Sequence, residues 1–256
     1  MTHYLNTIYT LIIKMYYCVL DFEATCWDSS DIPNKGKPYE IIEFPSVLFK
    51  VEKTEKGSTL KFTSEFQRYC KPVQNPKLSE FCTKLTGIEQ HQVQDADEFP
   101  TVLKAHYDWL IQQTGTSKVI FITCGSWDFE NALNKELFRW INNHKFYCSN
   151  KDKLYNFIID IPNVYKSYIN LKDIFKSLYN VKPGGMVSML NYLHIDLTGR
   201  HHCGLHDCRN IGKILQKVYI DGSDQISKHF PIKTVHYKHK DPRPMWAHNP
   251  KFKIEN

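Results

Sequence analysis

The first clear pattern along the chain is a run of apolar and aromatic positions at residues 16–22, broken only by Asp21. Such a run is typical of a strand that is buried on both faces of a sheet. Two further strands are predicted at residues 41–51 and 60–69, and Pro45 favours an edge position or a bulge for the first of these. Three strands joined by short links predict an antiparallel meander.

Helix-like spacing of apolar residues dominates the rest of the chain. Helices are predicted at residues 99–114, 127–143, 185–193 and 207–219, with one more that ends at Tyr179. Strands are predicted at residues 118–123 and just before Leu171. A meander followed by alternating helices and strands indicates an α/β fold in which a mixed β-sheet is flanked by α-helices.

Two carboxylates stand at the end of the first predicted strand. Asp21 and Glu23 are two positions apart, so they project from the same face. Burying two like charges is costly, and a divalent cation removes that cost. The signal is weak alone, because 27 acidic residues in 256 give about three such pairs by chance. The alternative is a strand end that reaches solvent.

A third candidate acid, Asp128, follows the strand predicted at residues 118–123. Open α/β sheets place their sites at the carboxyl ends of strands, so Asp128 is in position to be a ligand. The alternative is an acid that is favoured at this point by the dipole of the next helix.

Residues 199–210 hold the densest group of candidate side chains. Asp207 belongs to the buried stripe of its predicted helix, which continues through Ile211, Ile214, Leu215 and Val218. A buried acid needs a partner, and the preceding histidines suggest proton transfer. A structural zinc site would draw on His201, His202, Cys203, His206 and Cys208, but it lacks a separated second ligand pair. The carboxylates instead favour Mg²⁺ or Mn²⁺.

The order Asp-x-Glu, then Asp, then His-x4-Asp resembles the DEDDh exonucleases, and longer segments resemble the ERI-type 3′–5′ exoribonucleases within that family. The matching segments lie in the family's order between residues 21 and 214. They are DFEATCW (21–27), NPKLSEFCTKLTGIEQHQV (75–93), GSWDF (125–129), INLKDIF (169–175) and GRHHCGLHDCRNIGKI (199–214).

The resemblance implies an RNase H-like fold and a metal-dependent enzyme that releases 5′ mononucleotides from RNA 3′ ends, in RNA processing or small-RNA turnover. It implies two Mg²⁺ ions, which Mn²⁺ can replace, with Asp21, Glu23, Asp128 and Asp207 as metal ligands. Glu23 and His202 would be catalytic, with His202 as the general base. The nucleotide-binding positions would be Glu23, Ala24 and His202.

The sequence departs from the family pattern at two positions. His201 stands where relatives often have Pro, and His206 stands where they often have a second Asp. His206 replaces no ligand, but it can alter the charge of the site.

Two other functions fit the same resemblance. A non-catalytic RNA-binding module would have a decayed site, whereas all five catalytic positions are filled here. A DNA-directed exonuclease of the same fold is also open, because the sequence does not locate contacts to a 2′-hydroxyl. Trp127 could stack on a base or could pack under the start of its helix.

Charge divides the chain unevenly. Of the net charge of +6, residues 228–256 carry +5. We therefore predict an N-terminal extension (1–14), an exonuclease domain (15–227) and a basic tail (228–256) that grips RNA or is simply solvated. No membrane span or export signal is apparent, and eight cysteines form no CxxC pair. These features predict an intracellular protein, cytoplasmic or nuclear, with reduced thiols and no membrane partner; protein partners stay unidentified.

Overall fold

The computed structural model of the chain describes residues 14–30, 36–55, 57–143, 149, 154–222 and 232–237. Seven strands in these residues form one sheet: β1 (Met15–Leu20), β2 (Glu23–Ala24), β3 (Ile41–Thr54), β4 (Gly57–Tyr69), β5 (Lys118–Thr123), β6 (Ser167–Asn170) and β7 (Lys233–Thr234). The described α-helices are α1 (Glu80–Thr86), α2 (Gln90–Gln94), α3 (Phe99–Thr114), α4 (Asn134–Ile141), α5 (Leu154–Ile159), α6 (Leu171–Tyr179), α7 (Met186–Tyr192) and α8 (Gly204–Asp221). A π-helix (Asp128–Leu133) leads into α4, and a 3₁₀-helix (Asn163–Lys166) precedes β6.

The strands lie in the order β4–β3–β1–β5–β6–β7, and β2 continues beyond β1 along β3. Strands β1, β5 and β6 are parallel, whereas β3, β4 and β7 are antiparallel to their neighbours. The predicted meander and the mixed α/β class are therefore confirmed. The parallel strands end together at Leu20, Thr123 and Asn170, which places the residues that follow them at one edge of the sheet.

Alternating residues of β1 supply two apolar cores, one on each face of the sheet. Tyr16 and Cys18 pack with residues of α3, α4 and α5, while Tyr17 and Val19 pack with α6, α7 and α8. A strand covered by helices on both faces must be apolar throughout, which explains the unbroken apolar run of β1. By the same alternation, Asp21 falls on the face that is covered by α8.

The predicted edge position of Pro45 is wrong. Strand β3 pairs with β1 and β2 on one side and with β4 on the other. Pro45 is tolerated because the ladder is interrupted at Asp21 and Phe22, between β1 and β2, and Asp21 stands opposite Pro45 in the continuing register. Proline has no N–H to donate, so the interruption falls where a ladder hydrogen bond is missing anyway. The bulge between β3 and β4 lies further along, between Leu48 and Phe49.

The helix predicted over residues 127–143 is not regular. Its first part is the π-helix, and only α4 follows the ordinary α-helical pattern. The wider π-helical turns bury Asp128 together with Phe129, Ala132 and Leu133. Periodicity does not reveal such turns, which occur often at functional sites.

The sequence did not predict helices α1 and α2, because helices this short hold too few residues to show a period. Ser79 nevertheless caps α1 by accepting the backbone N–H of Cys82 at 2.9 Å.

The described cysteines are all free, and Cys148 lies outside the described residues. Among the described helices, none is both long and apolar enough to span a bilayer.

Residues 232–237, which belong to the predicted basic tail, rest on the sheet. Strand β7 pairs with β6, the Val235 N–H donates to the carbonyl of Lys166 at 2.8 Å, and the Tyr237 hydroxyl donates to the carbonyl of Tyr165. The Val235 side chain is buried. The predicted boundary at residue 227 stays a prediction, and residues 1–13 and 238–256 lie outside the described residues.

We predict that truncation after Ser227 destabilises the protein relative to truncation after Tyr237. The shorter chain loses β7 and the buried Val235 side chain, whose burial stabilises by about 1.5–3 kcal/mol. Chemical denaturation of the two truncated chains should therefore show a free energy of unfolding at least about 1.5 kcal/mol lower for the shorter one. Equal stabilities would contradict the packing of residues 232–237 on β6. RNA affinity measured on the longer truncation tests the grip of residues 238–256 without this loss.

Candidate active site

Three of the predicted carboxylates meet at the carboxyl edge of the sheet. Asp21 follows β1, Glu23 begins β2, and Asp207 lies in the first turn of α8. One oxygen from each lies within 4.8 Å of the others. Glu23 and Asp207 are buried, and the burial of Asp207 agrees with the apolar stripe predicted for its helix. The structure thus brings together acids that are far apart in sequence.

Helix α8 reaches this edge because its N-terminus is held by a carboxylate of β3. Glu43 accepts the backbone N–H of Gly204 at 3.0 Å and of Leu205 at 3.3 Å. A Cβ at Gly204 would lie 2.7 Å from the Pro45 ring and 2.9 Å from the Asp21 carbonyl oxygen, so only glycine allows this approach. Sequence reasoning missed Glu43, although an acid inside the apolar run IIEFPSVLF was a signal.

Asp128 lies beside this group but is not one of the three clustered acids. Its Oδ1 accepts the Phe22 N–H at 2.8 Å, in the interruption between β1 and β2. Burial, followed by the charge of Asp128, raises the pKa of Asp21, so the two carboxylates are near enough to interact. The π-helix and the broken ladder together place Asp128 against the end of β1.

His201 and His202 stack on one another beside Asp207. Their ring centroids are 3.9 Å apart with an interplanar angle of 20°. His201 Nδ1 lies 3.0 Å from Asp207 Oδ2, and the His202 backbone N–H donates to the same oxygen at 2.9 Å. His202 has a φ of 62°, in the left-handed region that costs about 1 kcal/mol or more for a residue with a Cβ. The bond to Asp207 helps to hold this conformation.

Burial, and for Asp21 and Glu23 also the charge of neighbouring acids, raises the pKa values of the acids at the site. Burial, followed by the charges of Glu43, Asp207 and Asp128, raises the pKa of Glu23 to about 8. Burial also raises the pKa of Asp128 to about 7, against the lowering effect of the Phe22 N–H. The pKa of His202 is lowered by burial and by neighbouring His201, which favours the neutral form of its ring. Acids that resist ionisation together gain from a cation that pairs with all of them.

The donor set fits divalent cations. Asp207 Oδ1 is buried and has no hydrogen-bond partner among the described residues. A buried carboxylate oxygen without a partner is costly, and a bound cation would supply the missing interaction. Three carboxylates provide oxygen ligands, which hard cations prefer.

A cleft of about 390 Å³ opens over these side chains. Asp21, Glu23 and Asp207 line one part, His201 and His202 line another, and residues 185–188 at the start of α7 form a wall. Ala24 lies next to the cleft, where its carbonyl oxygen accepts the Cys82 thiol at 3.7 Å. Sequence reasoning did not identify the α7 wall, because none of its residues carries a charge.

Trp127 packs against another aromatic ring but keeps part of its surface exposed. Its ring lies 5.2 Å from the ring of Tyr39, yet 39% of its surface remains exposed. The Lys135 ammonium group lies over the Tyr39 ring, 4.1 Å from its centroid. Base stacking by Trp127 therefore stays a prediction.

The arrangement of carboxylates at the edge of an RNase H-like sheet defines a class of metal-dependent nucleases. The chain belongs to the exonuclease family, whose pattern matches residues 18–215. Membership in this family implies divalent metal ions. The fold prediction is confirmed.

Curated relatives are named as exonucleases. The chain is 36% identical over 217 residues to the human (Homo sapiens) protein "3'-5' exoribonuclease 1". This alignment covers 82% of this chain and 54% of the human protein. It is 30% identical over 222 residues to "3'-5' exonuclease Snipper" of Drosophila melanogaster, which covers 81% and 70%. The chain thus spans about half the length of the first of these relatives.

Solved structures give the same result. The nuclease domain of 3'hExo, a DEDDh family member bound to rAMP, superposes with a TM-score of 0.66 at 34% identity, over 86% of this chain and 97% of that domain. A 3'-exonuclease described as recognising the histone mRNA stem-loop superposes with a TM-score of 0.68 at 32% identity, over 86% and 68%.

We predict that Asp128→Asn stabilises the metal-free protein more at pH 8 than at pH 5. Unfolded Asp128 ionises near 3.8 and folded Asp128 near 7, so the folded wild type keeps a proton that the unfolded chain loses. The wild type therefore loses stability as pH rises through this interval, by at most about 1.4 kcal/mol per pH unit from this group. Asparagine cannot ionise, and its Oδ1 can still accept the Phe22 N–H.

Urea denaturation in EDTA at both pH values measures the effect. Asp160→Asn is the control, since the Asp160 side chain is 94% exposed. A difference between Asp128→Asn and wild type that does not grow with pH would show that Asp128 ionises normally in the folded protein.

Proposed function

We propose that this chain is a 3′–5′ exoribonuclease that hydrolyses phosphodiester bonds from RNA 3′ ends and releases 5′ mononucleotides. The observation that carries the proposal is the group of Asp21, Glu23 and Asp207 with an unpartnered buried oxygen, beside His202 in one cleft. Family membership and relatives named as exoribonucleases support it. A relative that recognises the 3′ end of an RNA stem-loop supports RNA as the substrate.

Asp21, Glu23, Asp128 and Asp207 would hold two Mg²⁺ ions, for which Mn²⁺ can substitute. When bound, such ions lower the pKa of water and stabilise charge on the leaving oxygen. The four carboxylates are suited to this task because they offer only oxygen ligands, and three of them, Glu23, Asp128 and Asp207, are buried.

His202 would act as the general base. Its lowered pKa leaves an imidazole nitrogen unprotonated at neutral pH, ready to accept a proton from the attacking water. Its backbone N–H fixes it to Asp207 Oδ2, so the base and a metal-holding acid keep a constant separation. Glu23 and the backbone of Ala24 would contact the terminal nucleotide, since both lie at the β2 side of the cleft.

The proposed activity is tested with matched single-stranded RNA and DNA labelled at the 3′ end. We expect rapid release of labelled 5′ mononucleotide from RNA in Mg²⁺, at least about tenfold faster than from DNA, and none in EDTA. Asp21→Asn, which keeps the size of the side chain but removes a negative ligand, is the inactive control. A stable gel shift without cleavage would instead favour a binding module, and preference for DNA would favour a DNA exonuclease.

The role of His202 is tested with His202→Asn, because asparagine tolerates the left-handed backbone at this position. We expect single-turnover cleavage to fall about 10²–10⁴-fold, the usual contribution of a general base. RNA binding measured in EDTA should change little. Exposed His91, replaced in the same way, is the matched control. Cleavage at the wild-type rate by His202→Asn would remove His202 from the mechanism.

A further inference from the structure

A second set of metal-binding atoms lies in the same cleft and shares Asp207 with the acidic group. His201, His202 and Asp207 each place one ligand atom within 4.8 Å of the others. Two imidazole nitrogens and one carboxylate oxygen differ in kind from three carboxylates. Imidazole ligands suit Zn²⁺, whereas Mg²⁺ prefers oxygen alone. The cleft therefore offers a carboxylate set that suits Mg²⁺ and a histidine-containing set that suits Zn²⁺.

One pair of these atoms already has the spacing of a tetrahedral site. Zinc bonds to nitrogen and oxygen of about 2.0–2.1 Å give a separation of roughly 3.3 Å between ligand atoms. His201 Nδ1 and Asp207 Oδ2 are already 3.0 Å apart. The His202 ring stacks on that of His201 with centroids 3.9 Å apart, and its ligand nitrogen lies within 4.8 Å of the other two atoms, so one ring must rotate before both nitrogens bind the same ion.

The turn that carries the histidines is held in place by its surroundings. The Arg200 N–H donates to His206 Nδ1 at 3.1 Å, which also occupies that nitrogen of His206. The Arg200 guanidinium donates to the carbonyls of Lys84 and Leu85, at the end of α1. A fixed turn lowers the entropic cost of ordering ligands around an ion.

Access and an unsatisfied ligand atom complete the site. The His201 side chain is 41% exposed, so an ion can reach it from solvent, while the Asp207 side chain is only 3% exposed. Asp207 Oδ1 has no partner among the described residues. The unpartnered Oδ1 belongs to the same carboxylate as Oδ2, which lies 3.0 Å from His201 Nδ1, so an ion that this carboxylate binds through both oxygens would also satisfy Oδ1.

We propose that Zn²⁺ binds to His201, His202 and Asp207 and thereby inhibits RNA cleavage. Bound zinc would occupy the imidazole nitrogen of the proposed base and a carboxylate of the proposed catalytic group. Zinc binding stands independently of the proposed function, whereas the inhibition rests on it.

The binding is tested by competition between the full chain and a chromophoric zinc chelator. His201→Phe keeps a ring that can stack on His202 but has no nitrogen ligand. His91→Phe is the matched control, because His91 also lies beside a carboxylate, 3.2 Å from Glu89, but is exposed on the surface. We expect His201→Phe to weaken zinc binding at least about tenfold and His91→Phe to leave it unchanged. Equal affinity of wild type and His201→Phe would overturn the proposal.

The absorption spectrum of Co²⁺ bound to the wild type identifies the ligand type without relying on the fold of a variant. It also distinguishes the proposed site from zinc binding to cysteines. Co²⁺ in a site of nitrogen and oxygen ligands gives visible bands without the near-ultraviolet charge-transfer band of thiolates. We expect this spectrum at one equivalent of Co²⁺, with displacement by Zn²⁺. A thiolate band at one equivalent would assign the tightest site to cysteines and would overturn the proposal.

The inhibition is tested by adding Zn²⁺ to cleavage reactions in Mg²⁺, each variant being compared with its own rate without zinc. We expect His201→Phe to need at least about tenfold more zinc for half inhibition than the wild type, with recovery on chelation. Equal inhibition of both would overturn the inhibitory role. If the chain cleaves no RNA at all, the proposed function fails, and the chelator and cobalt experiments still decide zinc binding.

Discussion

The contact between the N-terminus of α8 and strand β3 is the interaction on which the site depends. Glu43 accepts two backbone N–H groups at the start of α8, and Gly204 allows the helix to press against Pro45 and the Asp21 carbonyl. These contacts place Asp207, three residues later, beside two acids that are nearly 190 positions away in sequence. A further close approach at Gly212, where a Cβ would meet the Phe49 ring at 2.6 Å, keeps the helix in register along the sheet.

This arrangement brings several carboxyl groups close together in largely buried positions. Asp21, Glu23, Asp128 and Glu43 each have a raised pKa, with burial as the first cause in every case. Glu43 is partly compensated by the helix N–H groups and by Gln67, whose amide donates to it at 2.7 Å. The acids that line the cleft have less compensation. Because neighbouring carboxylates repel each other when ionised, a cation that binds between them stabilises their charged forms.

Strands β1 and β5 and helix α3 could be predicted from sequence because each shows one strong period bounded by a turn or a polar residue. The facing of Asp21 and Glu23, and the burial of Asp207, followed from the same periods. The edge prediction for Pro45 failed because an interrupted ladder accommodates a missing N–H as well as an edge does. The π-helix before α4 has an almost normal apolar pattern, and the capping role of Glu43 depends on a contact across more than 150 residues. Local patterns carry no information on such contacts.

Strand β7 decides where the chain leaves the sheet. Because β7 runs antiparallel to β6, Lys233 lies opposite Tyr168 and Thr234 lies opposite Ser167, and the chain then moves toward Tyr165. Asp21 stands at the other end of the parallel strands, one strand length away, which is roughly 15–20 Å for five or six residues. An affinity handle, fluorophore or surface linkage joined directly to Tyr237, in a chain truncated there, would therefore be anchored at the edge of the sheet remote from the cleft. Immobilisation through that end should leave the entrance free for a polymer to enter by its terminus.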